Sequence, residues 1–100
     1  MKVTVYVESG QYCTEGFAKE VETIGTKLAL KRLINKFANE NEVLYDNWGG
    51  FHKARTCVFM GNLEEFENRY TEITAPHFIT GVTSRIGVFE DANEEGIITN

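Results

Sequence analysis

Residues able to do chemistry gather most densely in Tyr45-Asp46-Asn47-Trp48-Gly49-Gly50-Phe51-His52-Lys53-Ala54-Arg55, which holds the only tryptophan, one of two histidines and two cations. The chemistry on offer is recognition, because aromatic residues and arginine are the types that most often anchor interfaces. Gly49-Gly50 between strand-forming runs predicts a two-residue hairpin turn, since both central positions tolerate positive φ. Such a turn sets Trp48 opposite Phe51, Asn47 opposite His52, Asp46 opposite Lys53 and Tyr45 opposite Ala54. Side-chain alternation then collects Trp48, Phe51, Asp46, Lys53 and Arg55 on one face near the tip. Trp48, Phe51, Lys53 and Arg55 are therefore the candidate partner-binding residues. The competing reading makes Trp48 a plug in the core.

Bond-making chemistry finds less support. A nucleophile needs an activating base and an oxyanion site. Cys57 and His52 lie five positions apart on one expected strand and point to opposite faces, against a Cys–His dyad. Cys13 stands alone in sequence, with no CxxC and no Cys/His cluster, so two reduced cysteines are expected. Glu8, at a strand end, His77, after Pro76, and Arg85, in a turn, each read as ordinary surface positions. No histidine or carboxylate spacing suits a metal, and no Gly-rich loop leads into a helix to hold phosphate. The expectation is no catalytic residues, no metal and no cofactor.

The charge pattern supplies a second candidate surface. The chain has 100 residues and a net charge of −5. Residues 1–26 carry −2, residues 27–55 carry +3 and residues 56–100 carry −6. Overall acidity disfavours sequence-independent nucleic-acid binding, which depends on neutralising phosphates. The basic band still offers Lys27, Lys31, Arg32 and Lys36 as anion or nucleic-acid contacts. An acidic chain also attracts basic protein partners.

The elements that must position these residues follow from periodicity. Lys2–Glu8 alternates, with Val3, Val5 and Val7 on one side and Thr4, Tyr6 and Glu8 on the other, which predicts a half-buried strand. Residues 14–24 fit a helix (Phe17, Val21, Ile24) and a strand (Phe17, Lys19, Val21, Thr23) equally well. Thr26 is an expected N-cap for a helix over 27–39, whose Leu30, Leu33, Ile34 and Phe37 form one apolar stripe. Val43–Trp48 and Phe51–Met60 form the hairpin. Asn62 and Glu65 mark a capping-box start for a second helix over 63–73, with Leu63, Phe66, Tyr70 and Ile73 inward. Ala75-Pro76 closes it. Short strands are expected at Phe78–Val82 and Ile86–Phe89, before a mobile acidic tail from about residue 91.

This order predicts a single compact α+β domain over residues 1–100. Its expected form is an antiparallel four- to five-stranded sheet with two helices on one face, in ferredoxin-like βαββαβ order. Apolar runs are too short for a membrane span, and no basic-then-apolar leader opens the chain, so a cytoplasmic setting is expected. The functional expectation is a small acidic non-enzymatic interaction protein, of the inhibitor or adaptor type and of the kind phages carry. It would dock on a protein partner through the aromatic and basic hairpin tip. The alternatives are a nucleic-acid-binding domain using the basic helix and hairpin, and a small enzyme with a site that spacing does not reveal.

Overall fold

A computed structural model describes residues 1–9, 15–45, 50–70, 72–75, 82–85 and 87–95. Its centre is strand β1 (Lys2–Ser9), flanked by two antiparallel neighbours, β2 (Glu15–Glu22) and β5 (Arg55–Phe59), in a three-stranded sheet of order β2-β1-β5. Val5 pairs with Lys19 on one side and with Val58 on the other. The stretch that fits helix and strand equally well is thus a strand. A β-hairpin partner that spans all eight residues of β1 overrides the helical reading.

The expected half-buried β1 is buried on both faces. Val3, Val5 and Val7 are inaccessible, but so are Thr4 and Tyr6. Burying Thr4 is tolerable because its hydroxyl donates to the Gly61 carbonyl at 3.0 Å. Aromatic residues account for the second face. Tyr6 meets Phe66 at 5.6 Å and Phe89 at 5.5 Å between ring centroids, and Phe59 meets Phe66 and Tyr70 at 5.7 Å.

These partners come from helices α2 (Leu63–Arg69) and α3 (Val88–Glu95). Helix α1 (Lys27–Glu40) packs on β5 and β1, and strand alternation leaves it the opposite face, with Val3, Val5, Val7 and Val58. The described residues therefore form three helices on two sides of a three-stranded sheet. This corrects the expected four- to five-stranded sheet with two helices on one face. The remaining strands make two separate antiparallel ladders, β3 (Glu42–Tyr45) with β4 (Gly50–Lys53) and β6 (Glu72–Ala75) with β7 (Val82–Arg85). The element order is ββαβββαββα, not βαββαβ. A radius of gyration of 13.5 Å matches a compact chain of this length.

Local chemistry explains the helix boundaries. Thr26 caps α1, its hydroxyl accepting from the Ala29 N–H at 3.2 Å. At the other end the Asn41 side-chain amide donates to the Phe37 carbonyl at 2.8 Å, satisfying one of the orphan acceptors of the last turn. The buried stripe is Leu30, Ile34, Phe37 and Ala38, while Leu33 is only half-buried. The helix is rotated towards Ala38, whose small side chain brings the backbone close to Ala54: the Ala54 N–H reaches the Ala38 carbonyl at 3.3 Å.

Helix α2 opens on the expected capping box, in which the Glu65 N–H donates to Asn62 Oδ1 at 2.9 Å and Glu65 Oε1 accepts from the Asn62 N–H at 3.4 Å. It ends at Arg69 rather than residue 73. Tyr70 takes an extended conformation, and β-branched Ile73 and Thr74 continue into β6. Val88 and Phe89, expected in a strand over Ile86–Phe89, instead start α3. Gly87, at φ 90°, sets the chain into that helix from a conformation that L side chains rarely adopt. Val88, Phe89 and Ala92 are buried, so the acidic stretch beyond residue 90 belongs in part to a packed helix.

Candidate partner-binding surface

The outer side of α1 carries Lys27, Lys31, Arg32 and Lys36, all exposed. Among the described residues none of the four enters an ion pair. The first turn of α1 holds no acidic residue, so the positive end of the helix dipole meets Lys27 instead of a compensating carboxylate. Across the sheet the outward charges are mostly of the opposite sign: Glu64, Glu65, Glu67, Glu90 and Glu94 are exposed on α2 and α3, beside Arg69. The charge blocks seen along the sequence thus become two opposite faces of one molecule.

Exposed aliphatic side chains sit among these cations, a feature sequence reasoning passes over. Leu28 is 60% exposed, Ile24 69% and Met1 54%. The only signal for Leu28 is its position off the 30/33/34/37 stripe. Met1 is brought to the loop before α1 by backbone pairing with Thr23, whose N–H donates to the Met1 carbonyl at 2.9 Å. Its thioether lies so close to Gly25 that a Cβ there would meet Sδ at 2.5 Å.

The hairpin residues are distributed differently from expectation. The β3–β4 register pairs Leu44 with Phe51, Val43 with His52 and Tyr45 with Gly50. Gly50 is a strand residue paired with Tyr45, which the two-residue Gly49-Gly50 turn would have set opposite Ala54, so the expected register is not the observed one. Asp46, Asn47 and Trp48 lie outside the described residues, and the choice between an exposed anchor and a core plug lies there too. Nor is Phe51–Met60 one strand. It breaks at Ala54, which is fully buried, so Lys53 belongs to the β3–β4 ladder and Arg55 to the central sheet. Lys53 is exposed. Arg55 is exposed too, with its guanidinium over the Phe89 ring, 4.0 Å from the centroid, a cation–π contact.

Arg55 also stands opposite Glu8 in the β1–β5 register. Burial pushes the half-buried Glu8 carboxyl above its usual range, the Arg55 charge pulls it back and Glu90 pushes it up again. Cys57 points into the same aromatic layer as its register partner Tyr6, and burial pushes its thiol up to about 12. At neutral pH that sulfur is a protonated packing group, not a nucleophile. Cys13 and His77 lie outside the described residues. No group of three or more His, Cys, Asp or Glu among the described residues could hold a metal.

Behind α3, Tyr70 Oη donates to Asp91 Oδ2 at 2.6 Å and Arg69 reaches the same oxygen at 3.3 Å. The cavity beside them, between β5, α2 and α3, measures about 30 Å³, room for a water or two and too small for a metabolite. No helix among the described residues is long and apolar enough to cross a membrane. Comparison with protein-family models, with curated proteins and with solved structures found no match.

Proposed function

We propose that this chain is a non-enzymatic interaction protein, of the inhibitor or adaptor type, that docks on a protein partner. The observation that carries the reading is the basic outer face of α1, whose four exposed cations have no ion-pair partner among the described residues. Cations that serve only solubility cost nothing when interleaved with carboxylates, and a single-sign face steers an oppositely charged partner. The β3–β4 arm, with Phe51, Lys53 and the connection holding Trp48, offers a second contact on the same reading, and the exposed Arg55 stands at the start of β5.

The same cations suit phosphate, which makes nucleic acid the second reading. The net charge of −5 weighs against it, because the rest of the chain repels a polyanion. Affinity capture from a lysate of the native host, with and without nuclease, separates the two. A protein retained after nuclease and lost on Lys31→Glu/Arg32→Glu supports the proposal. Loss on nuclease treatment overturns it.

A further inference from the structure

We infer that the N-terminal half of α1, with the loop before it, is a docking platform for an acidic protein segment that carries aliphatic side chains, of the kind an amphipathic acidic helix presents. This rests on the interaction-protein reading and narrows it to one surface and one partner chemistry.

Leu28 has Lys31 three residues on and Arg32 four residues on, the two spacings that make neighbours on a helix surface. It is therefore an exposed apolar side chain flanked by two exposed cations. Ile24 and Met1, the latter seated on Gly25, extend the apolar area off the start of the helix, where Lys27 adds a further charge. A face kept only for hydration has no use for leucine at that place. A partner carboxylate would meet Lys27, Lys31 or Arg32 and the uncompensated positive end of α1, while a partner leucine or valine would cover Leu28 and Ile24. Charge thus sets the approach and aliphatic burial holds the complex.

Two other anionic surfaces fit less well. A nucleic-acid backbone offers phosphates but nothing to bury against Leu28 and Ile24, and no aromatic residue stands among the described residues of this patch for bases to stack on. An anionic lipid surface would meet Glu20 and Glu22 on the adjoining strand edge, which hold Lys2 at 3.7 Å and the Met1 amino group at 2.9 Å and so cancel charge where a flat membrane would lie.

The test is an NMR titration of the isotopically labelled full chain with four probes. These are a synthetic helical peptide with glutamate on one face and leucine on the other, polyglutamate of equal length, a single-stranded oligonucleotide, and phosphatidylcholine vesicles containing phosphatidylserine. The Glu/Leu peptide is expected to shift the amides of Lys27, Leu28, Lys31 and Arg32 and to bind about tenfold more tightly than polyglutamate. Leu28→Ser should remove most of that difference, and Lys31→Glu/Arg32→Glu should abolish binding. Equal affinity for the two peptides, no binding of either, or tighter binding of the oligonucleotide or vesicles overturns the inference. The failures are distinguishable. If a host protein is captured equally by the wild type, Leu28→Ser and Lys31→Glu/Arg32→Glu, this platform fails and docking elsewhere stands. If capture depends on nucleic acid, the underlying reading fails with it.

Discussion

On one side of the central sheet, branched aliphatic side chains from β1 and β5 meet one fourteen-residue helix that caps itself at both ends. On the other, Tyr6 and Phe59 meet Phe66 and Phe89 from two helices of seven and eight residues, and Tyr70, which follows the first. Helices that short do not persist alone, because nucleation costs more than so few hydrogen bonds return. Helix α1 has the period, cap and length to form early and then bury its stripe. Helices α2 and α3 exist because rings hold them. The aliphatic layer draws its stability mostly from area, with the Ala54–Ala38 backbone bond beside it. The aromatic layer adds oriented contacts, including the Tyr70–Asp91 bond and the Arg55–Phe89 stack.

Truncating one anchor on each side is the severest challenge to this contrast. Phe66→Ala removes a fully buried ring that touches Tyr6, Phe59 and Tyr70 and should cost about 3–5 kcal/mol. Ile34→Ala on the α1 side should cost about 2–5 kcal/mol. Urea denaturation gives both, and hydrogen exchange locates them. Phe66→Ala should release α2 and α3 amides first, and Ile34→Ala those of α1. Loss of protection spread evenly over all three helices in either variant would erase the distinction between the layers.

A smaller effect tests how tightly the aromatic side is packed. A Cβ on Gly16 would run into the Tyr6 phenol, with ring atoms at 3.0 and 3.2 Å, and Tyr6 is held between Phe66 and Phe89. Gly16→Ala should therefore destabilise by about 1–3 kcal/mol. Gly25→Ala meets only the flexible, exposed Met1 thioether and should stay within about 0.5 kcal/mol. Thermal denaturation of the two variants side by side decides the matter, and equal melting temperatures would mean that Tyr6 is not confined.

The mildest perturbation is alkaline pH. Burial pushes Cys57 up to about 12, and burial followed by the Asp91 bond pushes Tyr70 up to about 12, from ordinary values of 9.0 and 10.0. Between each pair of values the unfolded chain releases a proton that the folded one keeps, so rising pH favours unfolding. Their stabilisation is complete below about pH 9 and is lost towards about pH 12. Both groups belong to the aromatic layer, so α3 amides should lose protection before those of α1. At neutral pH Tyr70→Phe should cost only about 1 kcal/mol, and it should flatten the alkaline slope. An unchanged slope in Tyr70→Phe/Cys57→Ala would assign the alkaline transition elsewhere.

The aliphatic side was also the legible side. The alternation of β1, the Thr26 cap and the 30/34/37 spacing are local signals that tertiary structure reinforces. On the aromatic side only the start of α2 was legible, through the Asn62–Glu65 capping box and the inward Phe66 and Tyr70. Phe89 lies in a stretch whose apolar residues are too few to show a helical period, and Ala92 carries no signal that it faces a core. Gly87 reads as a weak point in a strand, whereas its positive φ starts a helix. Tyr70 and Ile73 share a helical spacing by coincidence, and the Asp91 bond fixes Tyr70 in extended backbone. For the candidate surface, the cations of α1 were legible because they avoid the apolar stripe. Leu28 and Ile24 were not, since an exposed leucine looks like a buried one until the helix has a partner. The Gly49-Gly50 turn misled because Gly-Gly permits a tight turn without requiring it.

The seat of β1 between β2 and β5 has a kinetic consequence. Its pairing with β2 joins neighbours in the chain, but Thr4 must also find Phe59, across everything that makes up α1 and the β3–β4 arm. Closing so long a loop spends chain entropy before any ladder bond is gained. As the chain leaves the ribosome, the valine-rich β1 emerges well before β5, and its second edge stays open until residue 59 has followed. Over that interval α1, already capped and amphipathic, is the one element ready to shield those valines.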